Sequence, residues 1–415
     1  MRILFVVPYT PNLIRVRPYN FIRALGERGH EVTVLTLATN ESEWADSAAL
    51  AAAGHEVVAQ SMNRLRSLAN CLIALPTGMP LQAVYSWHPG LARLTAGLAG
   101  NENGHRPYDV VHVEHLRGAR YGLHLLEAAG EKCPPIVWDS VDCISHLFRQ
   151  ASEQSSTRSR RLMTRLELER TARYEAELIR RFDHVLVTSP VDRQALLDLP
   201  AAGELPAAPI SVIRNGVDLD YFRPAPEPVR EAATLVFSGK MSYHANVTMV
   251  HHLVQEILPR VWKQRPDARL LIVGKDPPRR IEGLAEARHR IDVTGTVPDI
   301  RPYLQRATAS VVPLVYGAGV QNKVLEAMAC ATPVVAYEPA ITPLSARAGH
   351  DLLVARDPNE FAAQIVSLLE EPERRRQIGW NGRAYVERHH DWDLITAGLE
   401  ATYQTLASMR QALAV

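Results

Sequence analysis

Residues 2–37, RILFVVPYTPNLIRVRPYNFIRALGERGHEVTVLTL, decide the fold. An apolar run from Arg2 to Val7 is followed by an amphipathic stretch from Pro18 to Arg28, and Glu31 to Leu37 then alternates with β-branched residues. Strand, helix and strand within about 40 residues form the parallel crossover unit of an α/β sheet. The same rhythm returns at residues 109–113, 135–139 and 183–188. The first half of the chain is therefore predicted to be a doubly wound α/β domain.

Crowded prolines divide the sequence into two halves. Six of them lie between residues 200 and 230, around one apolar run from Ile210 to Ile213, which is typical of a linker. Strand and helix patterns alternate again from Leu235 to Ala336. The predicted segments are an N-terminal domain over 1–205, a linker over 206–232, a second domain over 233–390 and a terminal helix over 391–415. Two such sheets in series predict a shared cleft, because ligands of open α/β sheets bind beyond the carboxyl ends of the strands.

The composition excludes several classes of protein. Of 415 residues, 47% are hydrophobic and 22% are charged, which excludes disorder as the main state. The 46 basic and 45 acidic side chains leave a net charge of +1, which excludes a general attraction to nucleic acid or anionic lipid, so any site for a polyanion must be local. Four cysteines without Cys-x-x-Cys spacing indicate a reducing compartment. The sequence shows neither a signal peptide nor a membrane span, so the cytoplasm is the predicted location.

A glycine-containing turn after a predicted buried strand is the sharpest local signal. Residues 316–329 read YGAGVQNKVLEAMA and lead into a helix. Glycines let a phosphate approach the backbone, and the free N–H groups of Val320 and Gln321, aided by the helix dipole, would then bind a diphosphate. A plain tight turn between a strand and a helix is the alternative interpretation.

Charged side chains near this turn strengthen the case for a nucleotide. Lys323 and Glu326 fall on the helix face of Gly319, and Glu326 lies roughly 10 Å along the axis, about the reach from a pyrophosphate to a ribose. A carboxylate can accept from both ribose hydroxyls. Lys240 follows another predicted strand and is a second candidate cation for the diphosphate. A solvated lysine and a surface Lys–Glu pair are the alternatives.

Polar residues also follow strands in the first half. Glu114 and His115 stand at the end of the strand over 109–113, where they could supply an acid, a base or sugar-hydroxyl contacts. His112 is predicted to be a satisfied core histidine instead. Arg15 and Arg17 precede the first helix and could bind an anionic leaving group or an acceptor phosphate, or could be surface charges.

Two charge patterns bear on metals and membranes. Asp-x-Asp occurs at residues 218–220 and 391–393, but the first lies in the linker and the second suits a helix cap, so no metal site is predicted. Residues 144–182 contain nine arginines and five glutamates, a net +4, on a potential amphipathic helix. A solvated helix is the default interpretation, and weak salt-sensitive contact with an anionic membrane is the alternative.

Several motifs in one order resemble a known family. The segment 325–336, LEAMACATPVVA, the segment 213–218, IRNGVD, and the closing pair Asp391-Trp392 are similar to the retaining glycosyltransferases of family 4. The resemblance runs nearly end to end. Residues 320–329 and 243–246 resemble, more narrowly, a subgroup of sugar transferases associated with exopolysaccharide clusters.

The resemblance implies the GT-B architecture, in which two Rossmann-like domains face a central cleft. The second domain would hold the nucleotide, the first would hold the acceptor, and the terminal helix would cross back to the first. The implied activity is transfer of a hexose from a nucleotide diphosphate sugar, UDP-linked in our interpretation, to a saccharide or lipid-linked acceptor in polysaccharide or glycoconjugate assembly. No metal and no further cofactor are implied. A lipid-linked acceptor would place the first domain at the inner membrane face.

Residues carry over by position. Lys240 matches the first phosphate-binding cation, Glu326 matches the ribose ligand, and Val297 lies in the loop whose backbone contacts the base. The phosphate-binding backbone maps onto Gly319, Val320 and Gln321, and the cleft histidine region maps onto Glu114 or His115.

Three departures from the family pattern leave alternatives open. Ala318 stands where the family has the first glutamate of its motif, Asn246 stands near the second cation, and Leu13-Ile14 replaces a glycine pair. Lys323 is the expected replacement for the missing cation. A catalytically silent nucleotide-binding partner subunit is the main alternative function, and a sugar-nucleotide epimerase is a weaker one.

Overall fold

The computed structural model describes residues 1–99, 107–154, 158–200, 206–225, 230–287, 289–315 and 320–413. Contacts divide the chain into two compact units. The first contains Met1–Arg214 and Trp392–Val415, and the second contains Asn215–Asp391. The boundary at Arg214 and Asn215 falls within the predicted linker over 206–232, and the part of that range at Ile210–Val212 pairs as a strand with the first sheet.

The first unit is built on a seven-stranded sheet in which every pairing is parallel. The strands are β1 Arg2–Val7, β2 Glu31–Ala38, β3 Glu56–Ser61, β4 Val110–Glu114, β5 Ile136–Val141, β6 His184–Val187 and β7 Ile210–Val212. Their order is β3-β2-β1-β4-β5-β6-β7. Residues 3–7 of β1 are fully buried, as expected for a parallel strand covered on both faces.

Helices cover both faces of this sheet. They are α1 Val16–Glu27, α2 Glu41–Ala52, α3 Arg64–Ala74, α4 Leu81–Tyr85, α5 Pro89–Ala99, α6 His115–Ala129, α7 Ile144–Gln154, α8 Arg158–Arg181 and α9 Pro190–Leu197. The segment 144–182 is therefore two helices rather than one. Among the described residues of α8, arginines pair with glutamates of the same helix at Arg170–Glu167, Arg173–Glu169 and Arg181–Glu177.

The second unit repeats the layout with six parallel strands in the order β10-β9-β8-β11-β12-β13. These strands are β8 Thr234–Ser238, β9 Arg269–Val273, β10 Ile291–Gly295, β11 Ala309–Val312, β12 Val334–Tyr337 and β13 Leu353–Ala355. Its helices are α10 His244–His252, α11 Leu258–Gln264, α12 Arg279–Ala287, α13 Arg301–Arg306, α14 Asn322–Ala329, α15 Glu338–Ile341, α16 Pro358–Glu370 and α17 Pro372–His389. The prediction of two Rossmann-like α/β domains is confirmed.

The last helix, α18 Trp392–Leu413, packs within the first unit against α1. The ring of Trp392 meets the ring of Phe21 edge to face, with centroids 5.3 Å apart. Over the part of the chain that the structure describes, no helix has the length and apolar character needed to cross a membrane.

Each sheet reverses its strand order once. In the first unit the reversal lies between β1 and β4, and in the second it lies between β8 and β11. At such a switch point the connections leave in opposite directions and open a crevice at the carboxyl ends of the two strands. Ligand-binding residues of each unit are therefore expected at these two edges.

Candidate functional site

The predicted donor residues gather at the carboxyl edge of the second sheet. Lys240 lies two residues beyond β8, Val297 lies two residues beyond β10, and Val320 to Glu326 follow β11. Since β8 and β11 are the neighbours at the switch point, Lys240 and the start of α14 flank one crevice. Gly319 and Ala318 lie outside the described residues.

Two glycines make this edge possible. The N–H of Gly239 donates to the carbonyl of Val273 at 3.0 Å, and a Cβ added at Gly274 would lie 1.9 Å from the carbonyl oxygen of Gly239. Both glycines have φ of +149°, a conformation that side-chain-bearing residues rarely adopt. The backbones after β8 and β9 can approach this closely because Gly274 has no side chain, and a Cβ at Gly239 would instead lie 2.8 Å from Nδ2 of Asn246.

Lys323 is brought to the same place from α14. Its buried ammonium donates to Oδ1 of Asn246 at 2.5 Å and lies 4.7 Å from the ring centroid of Phe237. Burial lowers the pKa of Lys323 to about 7, and the carboxylate of Glu326 acts in the opposite direction. An ammonium this poorly solvated gains more from a bound anion than an exposed lysine does.

Asn246 links the two candidate cations. Its Nδ2 donates to the carbonyl oxygen of Lys240 at 2.8 Å, while its Oδ1 accepts from Lys323. The side chain of Lys240 is 52% exposed and lies 3.9 Å from the carboxylate of Asp276. The sequence expectation that Lys323 compensates for the missing cation stays a prediction, but the structure does place its ammonium against Asn246.

Glu326 follows Lys323 by one helical turn and is partly buried. Burial raises the pKa of Glu326 to about 7, and Lys323 opposes this. The first backbone N–H groups of α14 have no acceptor within the helix, so the turn at Val320 and Gln321 presents donors. The edge therefore combines a helix N-terminus, two ammonium groups and one carboxylate beyond them.

Val297 lies beside the third strand of this edge. β10 ends at Gly295 with φ of +66°, and its carbonyl accepts from the N–H of Gly274 at 3.2 Å. The side chain of Val297 packs on the core of the second unit, which leaves its backbone to contact a ligand.

The corresponding edge of the first unit contains a buried ionic network. Glu114 is 1% exposed and accepts from the hydroxyl of Tyr9 at 3.2 Å, and its other oxygen lies 3.3 Å from Nε2 of His112. The hydroxyl of Tyr403, on α18, lies 2.7 Å from Nδ1 of His112. Burial and the nearby Asp139 raise the pKa of Glu114. The prediction that His112 is a satisfied core residue is confirmed.

Glu114 is enclosed at this edge. Its carboxylate lies against the hydroxyl of Tyr9 and the ring of His112, and a direct contact with a sugar stays a prediction. His115, the next residue, has φ of +62° and is partly exposed. Burial and the charge of Arg117 lower the pKa of His115 to about 4, so its imidazole is neutral at physiological pH. Among the described residues, its Nδ1 has no hydrogen-bond partner.

Arg17 also departs from its expectation. It lies inside α1 and is 4% exposed, with Nε and Nη2 bound to Asp139 at 2.7 and 3.1 Å. Its Nη1 donates to the carbonyls of Ile213 and Arg214. A guanidinium held in this way is not available to a substrate phosphate. Arg15 is 34% exposed, lies over the ring of Tyr9 and pairs with Glu43 at 3.1 Å.

One buried triad has the geometry for a metal. Atoms of His112, Glu114 and Asp139 lie within 4.8 Å of one another. The guanidinium of Arg17 already binds both oxygens of Asp139, and a divalent cation there would be repelled by it. The network is therefore better explained as an ion pair that joins α1 to β5.

Sequence reasoning missed Tyr9, Asp139 and Tyr403. Tyr9, two residues beyond β1, and Asp139, at the end of the predicted strand over 135–139, did carry a signal, because residues at the carboxyl ends of parallel strands line the ligand edge. Tyr403 gave none, since its partner lies 291 residues away in the chain.

Known proteins resemble both halves of the chain. A family model described as Glycosyltransferase Family 4 matches residues 15–221, and one described as Glycosyl transferases group 1 matches residues 232–371. The D-inositol 3-phosphate glycosyltransferase 2 of Catenulispora acidiphila is 25% identical over 345 residues, which cover 76% of this chain and 75% of that protein. The alpha-maltose-1-phosphate synthase of Mycolicibacterium smegmatis is 29% identical over 251 residues, covering 54% and 62%.

Solved structures resemble the whole chain. Sucrose-phosphate synthase from Thermosynechococcus elongatus has a TM-score of 0.67 at 19% identity and covers 99% of this chain and 100% of its own. The Anabaena protein HepE, in complex with UDP-glucose, has a TM-score of 0.68 at 16% identity and covers 98% of this chain and 100% of its own. At these identities the likeness concerns the fold.

Proposed function

This chain belongs to the glycosyltransferases of family 4 and group 1, and we propose that it transfers a hexose from a UDP-sugar to a hydroxyl acceptor with retention at the anomeric carbon. The observation that carries the proposal is the ammonium of Lys323, held by Asn246 beside Lys240 at the switch point of the second sheet. A diphosphate is the anion that fits two cations and a helix N-terminus. The HepE structure with UDP-glucose supports the choice of base.

Each donor residue receives one role. Lys240, Lys323 and the backbone at Val320 and Gln321 bind the diphosphate, and Glu326 accepts from the ribose hydroxyls. The backbone at Val297 contacts the base. Gly319 would complete the phosphate-binding turn.

In the proposed chemical step the protein stabilises negative charge on the leaving diphosphate and does not supply a nucleophile of its own. The bond between the anomeric carbon and the diphosphate oxygen breaks, and the acceptor oxygen bonds to that carbon on the same face. The acceptor proton passes to an oxygen of the leaving diphosphate. Negative charge on the diphosphate grows in the transition state, where the two ammonium groups stabilise it. The proposal therefore includes no metal and no further cofactor.

The first unit would recognise the acceptor, which is a saccharide or a lipid-linked saccharide. His115 is the proposed contact to the sugar or the acceptor hydroxyl, because its neutral imidazole is partly exposed at the edge. Glu114 acts behind it through Tyr9. Arg15 remains a candidate for an acceptor phosphate, although Glu43 already pairs with it.

A donor screen tests the proposal. The purified protein is incubated with UDP-, GDP-, ADP- and dTDP-sugars, with Lys323→Met as the matched control. Slow release of free sugar from a UDP-sugar by the wild type, reduced in the variant, is expected. An isomerised nucleotide sugar would indicate an epimerase. Binding without turnover would indicate a catalytically silent subunit, the alternative raised by Ala318 in place of the first glutamate of the family motif. An inverted anomeric centre in the product NMR spectrum would refute retention.

A further inference from the structure

Helix α3 buries small side chains and exposes large apolar ones. The buried residues are Ser67 and Ala74. Leu65, Leu68 and Leu72 are 78%, 58% and 66% exposed, and their spacing places them on one stripe of the helix. A helix that covers a sheet normally turns its large apolar residues towards the core. The exposed stripe therefore does not contribute to folding of the first unit.

Two further exposed apolar residues lie at the C-terminal end of α3 and enlarge the stripe to a patch. Ile73, in the last turn of the helix, and Leu75, just past its end, are 73% and 47% exposed and widen the stripe. We call Leu65, Leu68, Leu72, Ile73 and Leu75 the α3 face. Single exposed leucines are ordinary, but five large apolar side chains within eleven residues form a contiguous surface of the kind that marks an interaction site.

The charges around the α3 face are mostly positive; Glu167 of α8 is an acidic neighbour, and it pairs with Arg170 at 3.3 Å. Residues 57–101 contain arginines at 64, 66 and 93 but no aspartate, glutamate or lysine. Arg64 and Arg66 are exposed in the first turn of α3, which Asn63 caps by accepting from the N–H of Arg66. At the other end, Arg170 of α8 donates to the carbonyl of Leu75 at 2.8 Å. The partner of this surface is therefore apolar and negatively charged.

We propose that the α3 face docks the protein on an anionic lipid bilayer. The leucines and the isoleucine enter the acyl-chain boundary, while Arg64 and Arg66 stay at the level of the lipid phosphates. Eleven residues give the helix a length of about 16 Å, so it lies in the interface and does not cross it. The α3 face belongs to the first unit and the donor residues to the second, and vesicle binding requires no turnover.

The position of α3 suggests what the docking serves. β3 ends at Ser61, so α3 begins at the same carboxyl edge of the sheet as Tyr9 and His115. β3 is two strands from β1, or roughly 10 Å at the usual strand spacing. Docking would bring the proposed acceptor edge to the lipid surface. This consequence rests on the proposed function, whereas the docking itself does not.

Vesicle sedimentation tests the docking. The full chain should bind phosphatidylglycerol–phosphatidylcholine vesicles at low salt and bind pure phosphatidylcholine vesicles far more weakly. The double variant Leu68→Gln/Leu72→Gln should lower partitioning by about tenfold or more, because two leucines no longer leave water. Leu394→Gln is the matched control, since Leu394 on α18 is 56% exposed and lies outside the α3 face. Its binding should equal that of the wild type.

Charge variants separate α3 from the arginine-rich segment 144–182. Arg64→Glu/Arg66→Glu should weaken binding to anionic vesicles by about fivefold or more per residue. Arg173→Glu changes an exposed arginine of α8 and should have little effect. Loss of binding in the α8 variant with full binding in Leu68→Gln/Leu72→Gln would overturn the proposal.

Two further readouts complete the test. Leu72→Trp should bind, and its fluorescence should shift to the blue with anionic vesicles only. Light scattering measures the alternative, a second copy of the chain on this face. If the wild type is a dimer that Leu68→Gln/Leu72→Gln converts to a monomer, and neither binds vesicles, the face is a protein interface and the proposal is wrong. Thermal melts should match across all variants, since every changed side chain is exposed.

Discussion

Replacing Lys323 by methionine should remove the pH dependence of UDP binding above pH 7. The variant keeps an unbranched side chain of similar length and removes the ammonium that donates to Asn246. Burial lowers the pKa of Lys323 to about 7. The side chain is thus charged below pH 7 and neutral above it, and a diphosphate must draw a proton onto it at higher pH.

The magnitude follows from two opposing contributions. A hydrogen bond from a charged donor to the diphosphate contributes about 1.5–3 kcal/mol. Charging the lysine costs about 0.4 kcal/mol at pH 7 and about 1.4 kcal/mol at pH 8, because each pH unit above the pKa adds 1.36 kcal/mol. The wild type should therefore bind UDP roughly 5- to 100-fold more tightly than the variant at pH 7. This advantage should fall by up to about tenfold for each pH unit above that.

Isothermal titration calorimetry at pH 7, 8 and 9, in two buffers of different ionisation enthalpy, measures both effects. The wild type should take up about half a proton at pH 7, where the free lysine is already half charged, and most of a proton near pH 8. The uptake should fall again at pH 9, because a contact of about 1.5–3 kcal/mol no longer keeps the lysine fully charged there. Lys323→Met should show no such maximum. At pH 8 and 9 the ligand phosphate, with a second pKa near 6, and Glu326, whose pKa is about 7, are mostly ionised in the wild type. At pH 7 Glu326 is about half ionised and exchanges protons as well, so the comparison rests on the two higher pH values.

Lys240→Met is the matched control for this experiment. Its side chain is half exposed, so its loss should weaken UDP binding but leave the pH slope of the wild type in place. Equal slopes in the wild type and Lys323→Met between pH 7 and 9 would refute the placement of the diphosphate at Lys323.

Glu326→Gln should weaken UDP binding by about 1.5–3 kcal/mol, because the ribose loses a charged acceptor, and unchanged affinity in calorimetry would mean that the ribose lies elsewhere. His115→Ala should lower kcat while the Kd for UDP stays the same, and equal losses of both would argue against a role on the acceptor side. Arg17→Met should destabilise the first unit by about 3–5 kcal/mol in urea unfolding, since Asp139 would be buried without its partner; Arg173→Met, at an exposed pair, should change stability by less than about 1 kcal/mol. Activity should survive EDTA, and a loss that Mn²⁺ restores would show that a metal takes part.

Much of the donor edge could be predicted from local sequence. Val320 to Glu326 follow a buried strand and enter a helix. The end of the strand predicts that they lie at the ligand edge of the sheet, and the helical period predicts that Lys323 and Glu326 share one face of the helix. The partner of Lys323 could not be predicted in this way, because Asn246 is 77 residues away and only the neighbouring positions of β8 and β11 bring them together. The pairing of Arg17 with Asp139 could not be predicted either, because the two residues are 122 positions apart in the chain. This pairing leaves the guanidinium of Arg17 unavailable to a ligand.

The sequence by itself determined the alternation of strands and helices, hence two parallel sheets, because the apolar period of each segment is a local property. Tertiary structure decided which side of each helix packs against the rest of its unit. In α3 the apolar residues have a helical period whichever way the helix is turned, and packing placed Ser67 and Ala74 inside and the leucines outside. It also decided that Glu114 is enclosed while His115 is partly exposed, since burial depends on neighbours that are distant in the chain.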